Sequence, residues 1–233
     1  MKLDIEIRDQ PDDSTCGPTC LHSVYNYYNY SIELEEVIQS VKRMDDGGTL
    51  AVLLAQDALK RGFHTSLYTY NLKIFDPLWT TLSNEALIEK LTKQLQYKKG
   101  VKFTVASKAY IEYLRLGGEL LFDNLTTKLF KKYLEKGYPV LTGLSATYLY
   151  QTPREHYPSN EKSIYDDIRG VPLGHFVVLS GIKGKKVYVA DPYRGNPFTK
   201  ENYYKVDANR LLSSILLGII TYDANLLVIK PKK

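Results

Sequence analysis

Cys16 lies in the run Gln10-Pro11-Asp12-Asp13-Ser14-Thr15-Cys16-Gly17-Pro18-Thr19-Cys20-Leu21, and far along the chain Gly174-His175-Phe176-Val177-Val178-Leu179 leads to Asp191-Pro192. Together these stretches hold a sulfur that can lose its proton, a ring that can take it, a carboxylate that can fix the ring and an amide that can donate to an oxyanion. Acyl chemistry on a cysteine needs those four parts. An unperturbed thiol is mostly protonated at neutral pH, but the free N–H groups and positive dipole end of a helix favour the thiolate. Ser14 or Thr15 can cap a helix here, Pro18 falls in its first turn, and Cys20, Leu21, Val24, Tyr25 and Tyr28 recur at helical spacing. Cys16 is therefore expected in the opening turn of a helix. Its own N–H can serve an oxyanion, Gly17 leaves the backbone beside the sulfur open to a substrate carbonyl, and Gln10 can bring a second donor on its side-chain amide. Taken alone, Cys16 reads as a small buried residue; the other three parts turn the reading towards chemistry.

Phe176 to Leu179 is apolar on both faces, as in a strand buried from two sides, yet it begins at an ionisable ring, His175. A turn at Lys183-Gly184-Lys185 returns the chain as Lys186 to Asp191. If Ile182 opposes Lys186, paired residue numbers sum to 368 and Asp191 lies diagonally from His175 on the same face. That register gathers Val177, Leu179, Val187 and Val189 on one apolar face, whereas a slip by one residue mixes in Tyr188 and Lys186. An acid beside an imidazole fixes its tautomer and stabilises the imidazolium. Cys20, one turn beyond Cys16, is assigned to the core, and Asp12 and Asp13 to a solvated turn. His22, His64 and His156 read as surface or boundary residues, His156 touching substrate only if its loop folds over the cleft. Tyr193, Arg194 and Gly195 read as a polar turn or as part of the rim.

The elements that must position these residues follow an α+β order, helices first and an antiparallel sheet after. Helices are expected at 32–41, 49–60, 84–96, 104–116, 126–136 and 208–217, and strands at 1–8, 63–70, 139–144, 174–182, 186–190 and 225–229. The turn between the second and third helices is placed at Asp45-Asp46-Gly47-Gly48. The 233 residues, 44% of them hydrophobic, are read as one domain over 1–233, with a helical insertion around 76–125 and a loop insertion around 151–172. So long a polar loop is often a lid. The apolar stretch Leu211 to Ile220 is far shorter than the roughly 20 residues of a membrane span, so no membrane is expected. Two cysteines are too few for a disulfide scaffold, which points to a reducing, cytoplasmic setting. The net charge of +5 is scattered, with one basic block at Lys230-Pro231-Lys232-Lys233, so no nucleic-acid partner is expected. Tyrosines such as Tyr25, Tyr27, Tyr28 and Tyr30 are read as packing rings inward with hydroxyls at the boundary.

The two runs around Cys16 and His175 resemble the papain-like cysteine peptidases, and within them the bacteriocin-processing, double-glycine leader peptidase family and its stand-alone relatives. The resemblance implies a papain-like fold, with Cys16 as nucleophile, His175 as base, Asp191 as orienting acid and Gln10 as oxyanion donor. Thr15 stands where leader-processing members usually carry an acid, they are fused to a membrane exporter that is missing here, and the two insertions exceed a minimal domain. A cleft of different specificity is therefore expected. The expected function is a peptidase or amidase acting on a peptide or small amide through a thioacyl-enzyme, with no metal or cofactor. Two alternatives stay open: an acyl transferase in which an amine or thiol replaces water, and a binding module that kept the fold without turnover.

Overall fold

The computed structural model describes residues 2–44, 48–158 and 163–232. Three helices come first: α1 (Cys16–Tyr27), α2 (Leu34–Ser40) and α3 (Ala51–Lys60). After β1 (His64–Thr69) the chain forms α4 (Asn84–Tyr97) and α5 (Val101–Arg115), which pack together, then β2 (Glu119–Leu121) and α6 (Thr127–Leu134). Next come β3 (Val140–Ser145), α7 (Ala146–Tyr150) and a small hairpin, β4 (Glu155–His156) with β5 (Ile164–Tyr165). The last third holds β6 (Gly174–Lys183), β7 (Lys186–Ala190), β8 (Tyr203–Asp207), α8 (Ala208–Leu217) and β9 (Asn225–Lys230).

Seven strands share one sheet in the order β2-β1-β9-β3-β6-β7-β8, and every neighbouring pair is antiparallel except β1 with β2. The sheet thus draws strands from both halves of the chain, not from the C-terminal half alone. Central strands β3 and β9 are buried almost end to end, as expected where helices cover both faces. Helices α1 and α3 pack against β6, β1 and β9, while α6 and α8 pack against β3 and its neighbours. Among the described residues no helix is long and apolar enough to cross a membrane, and Leu211 to Ile220 falls in α8 and a short 3-10 turn.

Most elements read from periodicity form where expected, and the exceptions have local causes. The N-terminal segment keeps its alternation, with Leu3 and Ile5 buried, but makes only one bridge, Lys2 to Gly181, and is not a strand. Its partner β6 bulges there, so the ladder cannot continue. Strands β2 and β8 and helix α7 were not anticipated; β2 and α7 are too short for a periodic signal, whereas β8 does alternate, burying Tyr204 and Val206. The Asp45-Asp46-Gly47-Gly48 turn falls, apart from Gly48, outside the described residues.

The hairpin joining β6 to β7 begins one residue away from the expected pairing. Lys183, not Ile182, faces Lys186, because the loop has two residues and Gly184 takes a φ of 60°. A bulge between Leu179 and Gly181 then absorbs the extra residue. Beyond it Leu179 faces Val189 and Val178 faces Ala190, so the even register holds at the end that matters.

The tyrosines after Cys16 pack as expected. Tyr25, Tyr28 and Tyr30 surround Phe63, with centroids 5.2 to 6.0 Å from it. Their neighbours satisfy the hydroxyls: Tyr28 donates to the Ile229 carbonyl at 2.7 Å, and Tyr25 to Asp57 Oδ1 at 2.7 Å. Asp57 also pairs with Arg61 Nε at 2.7 Å. Replacing Asp57 with alanine strands the buried Tyr25 hydroxyl and takes one partner from Arg61, which keeps Glu36 and Ser40, and is expected to cost about 1–3 kcal/mol, read as a lower urea midpoint with an unchanged m-value.

Candidate active site

Helix α1 starts at Cys16, and no side chain caps it. The expected caps are engaged elsewhere: Ser14 N–H and Oγ donate to Asp12 Oδ1 at 2.8 and 2.7 Å, while Thr15 Oγ1 bonds the backbone of Asp12. An Asp side chain bonding two residues ahead is a common turn former, and here it outcompetes the cap. The helix therefore presents an N-terminus without a side-chain oxygen in the way, the setting that favours an anion.

Gly17 has a different task from the one expected. It is buried, and a Cβ there would sit 2.6 Å from Thr49 Cγ2 and 3.3 Å from both Leu54 Cδ1 and Phe176 Cδ2. Its missing side chain lets α1 close onto α3 and β6. Cys20, as expected, belongs to the core: it is fully buried, donates to the Phe176 carbonyl at 3.3 Å, and burial, with the charges of Cys16 and Asp191, pushes its thiol well up. Cys16 and Cys20 are both free thiols, and Cys16 is partly exposed.

The fold brings the distant halves together. Gln10 N–H donates to the Pro192 carbonyl at 2.9 Å, tying the entry to α1 to the residue after Asp191. His175 opens β6, 6% exposed, and its Nε2 lies 2.8 Å from Asp191 Oδ1. Cys16 lies near enough to the same ring for its charge to act on it. Burial alone would lower the His175 pKa, but the charges of Asp191 and Cys16 overcome it and push it up to about 10. Gln10 Nε2 donates to the Asp12 carbonyl at 2.8 Å, which uses one of its two protons. Gln10 and His175 line the same cavity, of about 310 Å³.

Asp191 is fully buried, and its partners besides His175 were not foreseen from the sequence. Oδ1 accepts from His175 and, at 2.9 Å, from the Tyr193 N–H; Oδ2 accepts from the hydroxyls of Tyr150 at 2.7 Å and Tyr204 at 2.8 Å. Burial would raise the Asp191 pKa, but His175 and these donors bring it below the ordinary carboxylate value. Its backbone is fixed as well, donating to the Asn202 carbonyl at 2.8 Å and accepting from Asn202 Nδ2 at 2.9 Å. The alternation of β8 was the available signal for Tyr204, since pairing with Val189 puts it on the face that Asp191 continues. Tyr150, on the unanticipated α7, had none.

The remaining residues fall outside this cluster. His22 is buried, with Nε2 3.2 Å from the Ile32 carbonyl, and His64 is exposed at the start of β1. His156 sits in β4 but does not line the cavity, although the 151–172 segment does fold over it, contributing Glu155, Tyr157 and Tyr165. Tyr193 lines the cavity; Arg194 turns away to Asp9. Among the described residues no cluster of three or more His, Cys, Asp or Glu is placed to hold a metal.

Removing the Tyr204 hydroxyl takes one charged-acceptor bond from Asp191, so Tyr204→Phe is expected to lower stability by about 1.5–3 kcal/mol near neutral pH. The folded pKa of Asp191 is depressed, so this contribution is present above the unfolded value of about 3.9 and fades as pH falls through the folded one. Denaturation of wild type and variant should therefore converge in acid.

The family description Peptidase_C39 like family matches residues 2–213. Among solved structures, a protein from Bacillus anthracis described as a C39-like peptidase is 16% identical, with all of each chain covered and a TM-score of 0.51. A double-glycine-motif protease from an AMS/PCAT transporter, solved with its leader peptide, is 18% identical over 99% of this chain and 94% of that one, with a TM-score of 0.47. The peptidase domain of Streptococcus ComA, a bi-functional ABC transporter, is 14% identical over 98% of this chain and all of that one, with a TM-score of 0.48. No curated protein matches in sequence. The Bacillus structure has the same fold, the papain-like arrangement expected from the two motifs. With nearly the whole chain matched by the family description, the protein belongs to the C39-like peptidases and is a papain-like cysteine peptidase.

Proposed function

We propose that the chain cleaves an amide bond in a peptide through Cys16 as nucleophile, His175 as base, Asp191 as the carboxylate that orients the ring, and Gln10 with the Cys16 N–H as oxyanion donors. The observation that carries the reading is the 2.8 Å bond from His175 Nε2 to Asp191, which leaves Nδ1 as the ring nitrogen for the thiol. The sulfur attacks the carbonyl carbon, and the oxyanion accepts from the second Gln10 amide proton and the open end of α1. The imidazolium then protonates the leaving amine, and water, deprotonated by the same ring, releases the acyl group. A stably ionised Asp191 keeps the imidazolium available through both steps.

The same reading takes residues 1–233 as one domain whose stretches 76–125 and 151–172 shape a cleft of its own, in a reducing cytoplasmic setting where the nucleophile stays a thiol. A second reading, transfer of the acyl group to an amine, is favoured by one feature: Glu155, Tyr157 and Tyr165 line the cavity beside His175, and a covered cleft favours an acceptor other than water. Product analysis with added amines divides the two.

Iodoacetamide is expected to label Cys16 much faster than Cys20, with the fast labelling of Cys16 lost in His175→Ala; equally sluggish labelling of both in the wild type would contradict the assignment. Cys16→Ala should fold normally and lose all turnover, whereas Cys20→Ala should keep turnover and lose about 1–2 kcal/mol of stability.

A further inference from the structure

The cavity of about 310 Å³ beside His175 lies at the small end of ligand pockets, about 300–1,000 Å³, and so suits one residue of a substrate. Its walls are aromatic, with Tyr150, Tyr157, Tyr165 and Tyr193 contributing, and besides His175 its charged lining is acidic, Asp13 and Glu155. Asp13 comes from the turn before α1 and Glu155 from β4, so two separate elements each bring a carboxylate to the cavity. They converge on one group: Tyr157 donates to Glu155 Oε2 at 3.2 Å, and the charges of Glu155 and Asp13 both act on its hydroxyl. Among the described residues no lysine or arginine lines the cavity. The nearby arginines of the roof are committed elsewhere, Arg154 to the Asp167 carbonyl and Arg169 to Asp166. Arg194, beside Tyr193, bonds Asp9.

We propose that this cavity is a subsite for a basic side chain, a lysine or arginine of the peptide close to the scissile bond, with its cation between Glu155 and Asp13 and its stem along the tyrosine rings. The proposal rests on the active-site reading above. Two carboxylates lining one small cavity attract a cation, which can gain charge-assisted bonds to them. Tyrosine faces attract the same cation, and the apolar stem of lysine or arginine packs against them. An acidic substrate side chain meets both carboxylates and is excluded, so the cavity selects by charge as well as size.

The test labels Cys16 with three methanethiosulfonates of similar reach, carrying an ethylammonium, an ethylsulfonate or a neutral propyl group. Rates are followed by mass spectrometry, and each protein's cationic-to-neutral ratio is read internally. Wild type is expected to prefer the cation over the anion by about tenfold or more, with the cationic-to-neutral ratio falling severalfold in Glu155→Gln and again in Asp13→Asn with Glu155→Gln. A wild-type ratio near one, or one that both variants leave in place, overturns the subsite while fast neutral labelling of Cys16 keeps the active-site reading. Labelling of Cys16 as slow as that of Cys20 by all three reagents overturns the active-site reading, and the subsite with it.

Discussion

Asp191 carries its negative charge with none of its surface open to water, so the protein must supply every bond that water would have made. Removing an ionised carboxylate from solvent is expensive by several kcal/mol unless its lone pairs are filled. Here four donors fill them: the His175 ring, the Tyr193 N–H and the hydroxyls of Tyr150 and Tyr204. The two tyrosines come from different elements, α7 and β8, and the charge holds them to one point. Phe198, tilted 4.5 Å from the Tyr204 ring and edge-on 6.1 Å from that of Tyr150, packs against both. A low-dielectric box strengthens the attraction between Asp191 and a protonated His175, which is why the ring stays basic despite burial.

The same constraint explains the construction around the sulfur. The imidazolium is useful only if a thiolate reaches it, and α1 must then be seated within ångströms of β6. Gly17 lets the two elements approach by having no side chain, and Cys20 adds a bond to the Phe176 carbonyl next to His175. Positioning is thus carried by rigid elements, a helix end and a strand end.

Much of this was legible in the chain. The helix at Cys16 followed from apolar spacing, and the face shared by His175 and Asp191 followed from the demand that Val177, Leu179, Val187 and Val189 stay together. That demand is strong enough that a two-residue loop, which by itself would slip the register, is answered by a bulge at Ser180. What periodicity could not reveal was set by tertiary contact. The roles of Tyr150 and Tyr204 depend on strands brought together from distant positions, and Thr15 reads as a cap because nothing local shows Asp12 taking its hydroxyl. Gly17 illustrates the same limit: a glycine beside a reactive sulfur suggests an open path, and only the packing of Thr49 and Leu54 reveals a closed one.

The central claim is that Asp191 and the Cys16 sulfur hold His175 as an imidazolium. The chain has only four histidines, so the ring Cε1–H resonance of His175 can be followed by NMR across pH in wild type, Asp191→Asn and Cys16→Ala. The account predicts that the wild-type ring keeps its proton well past pH 8, titrating towards pH 10, and that both variants shift the titration down, Asp191→Asn most. A ring that titrates near its ordinary value of about 6.5 in all three proteins would contradict it.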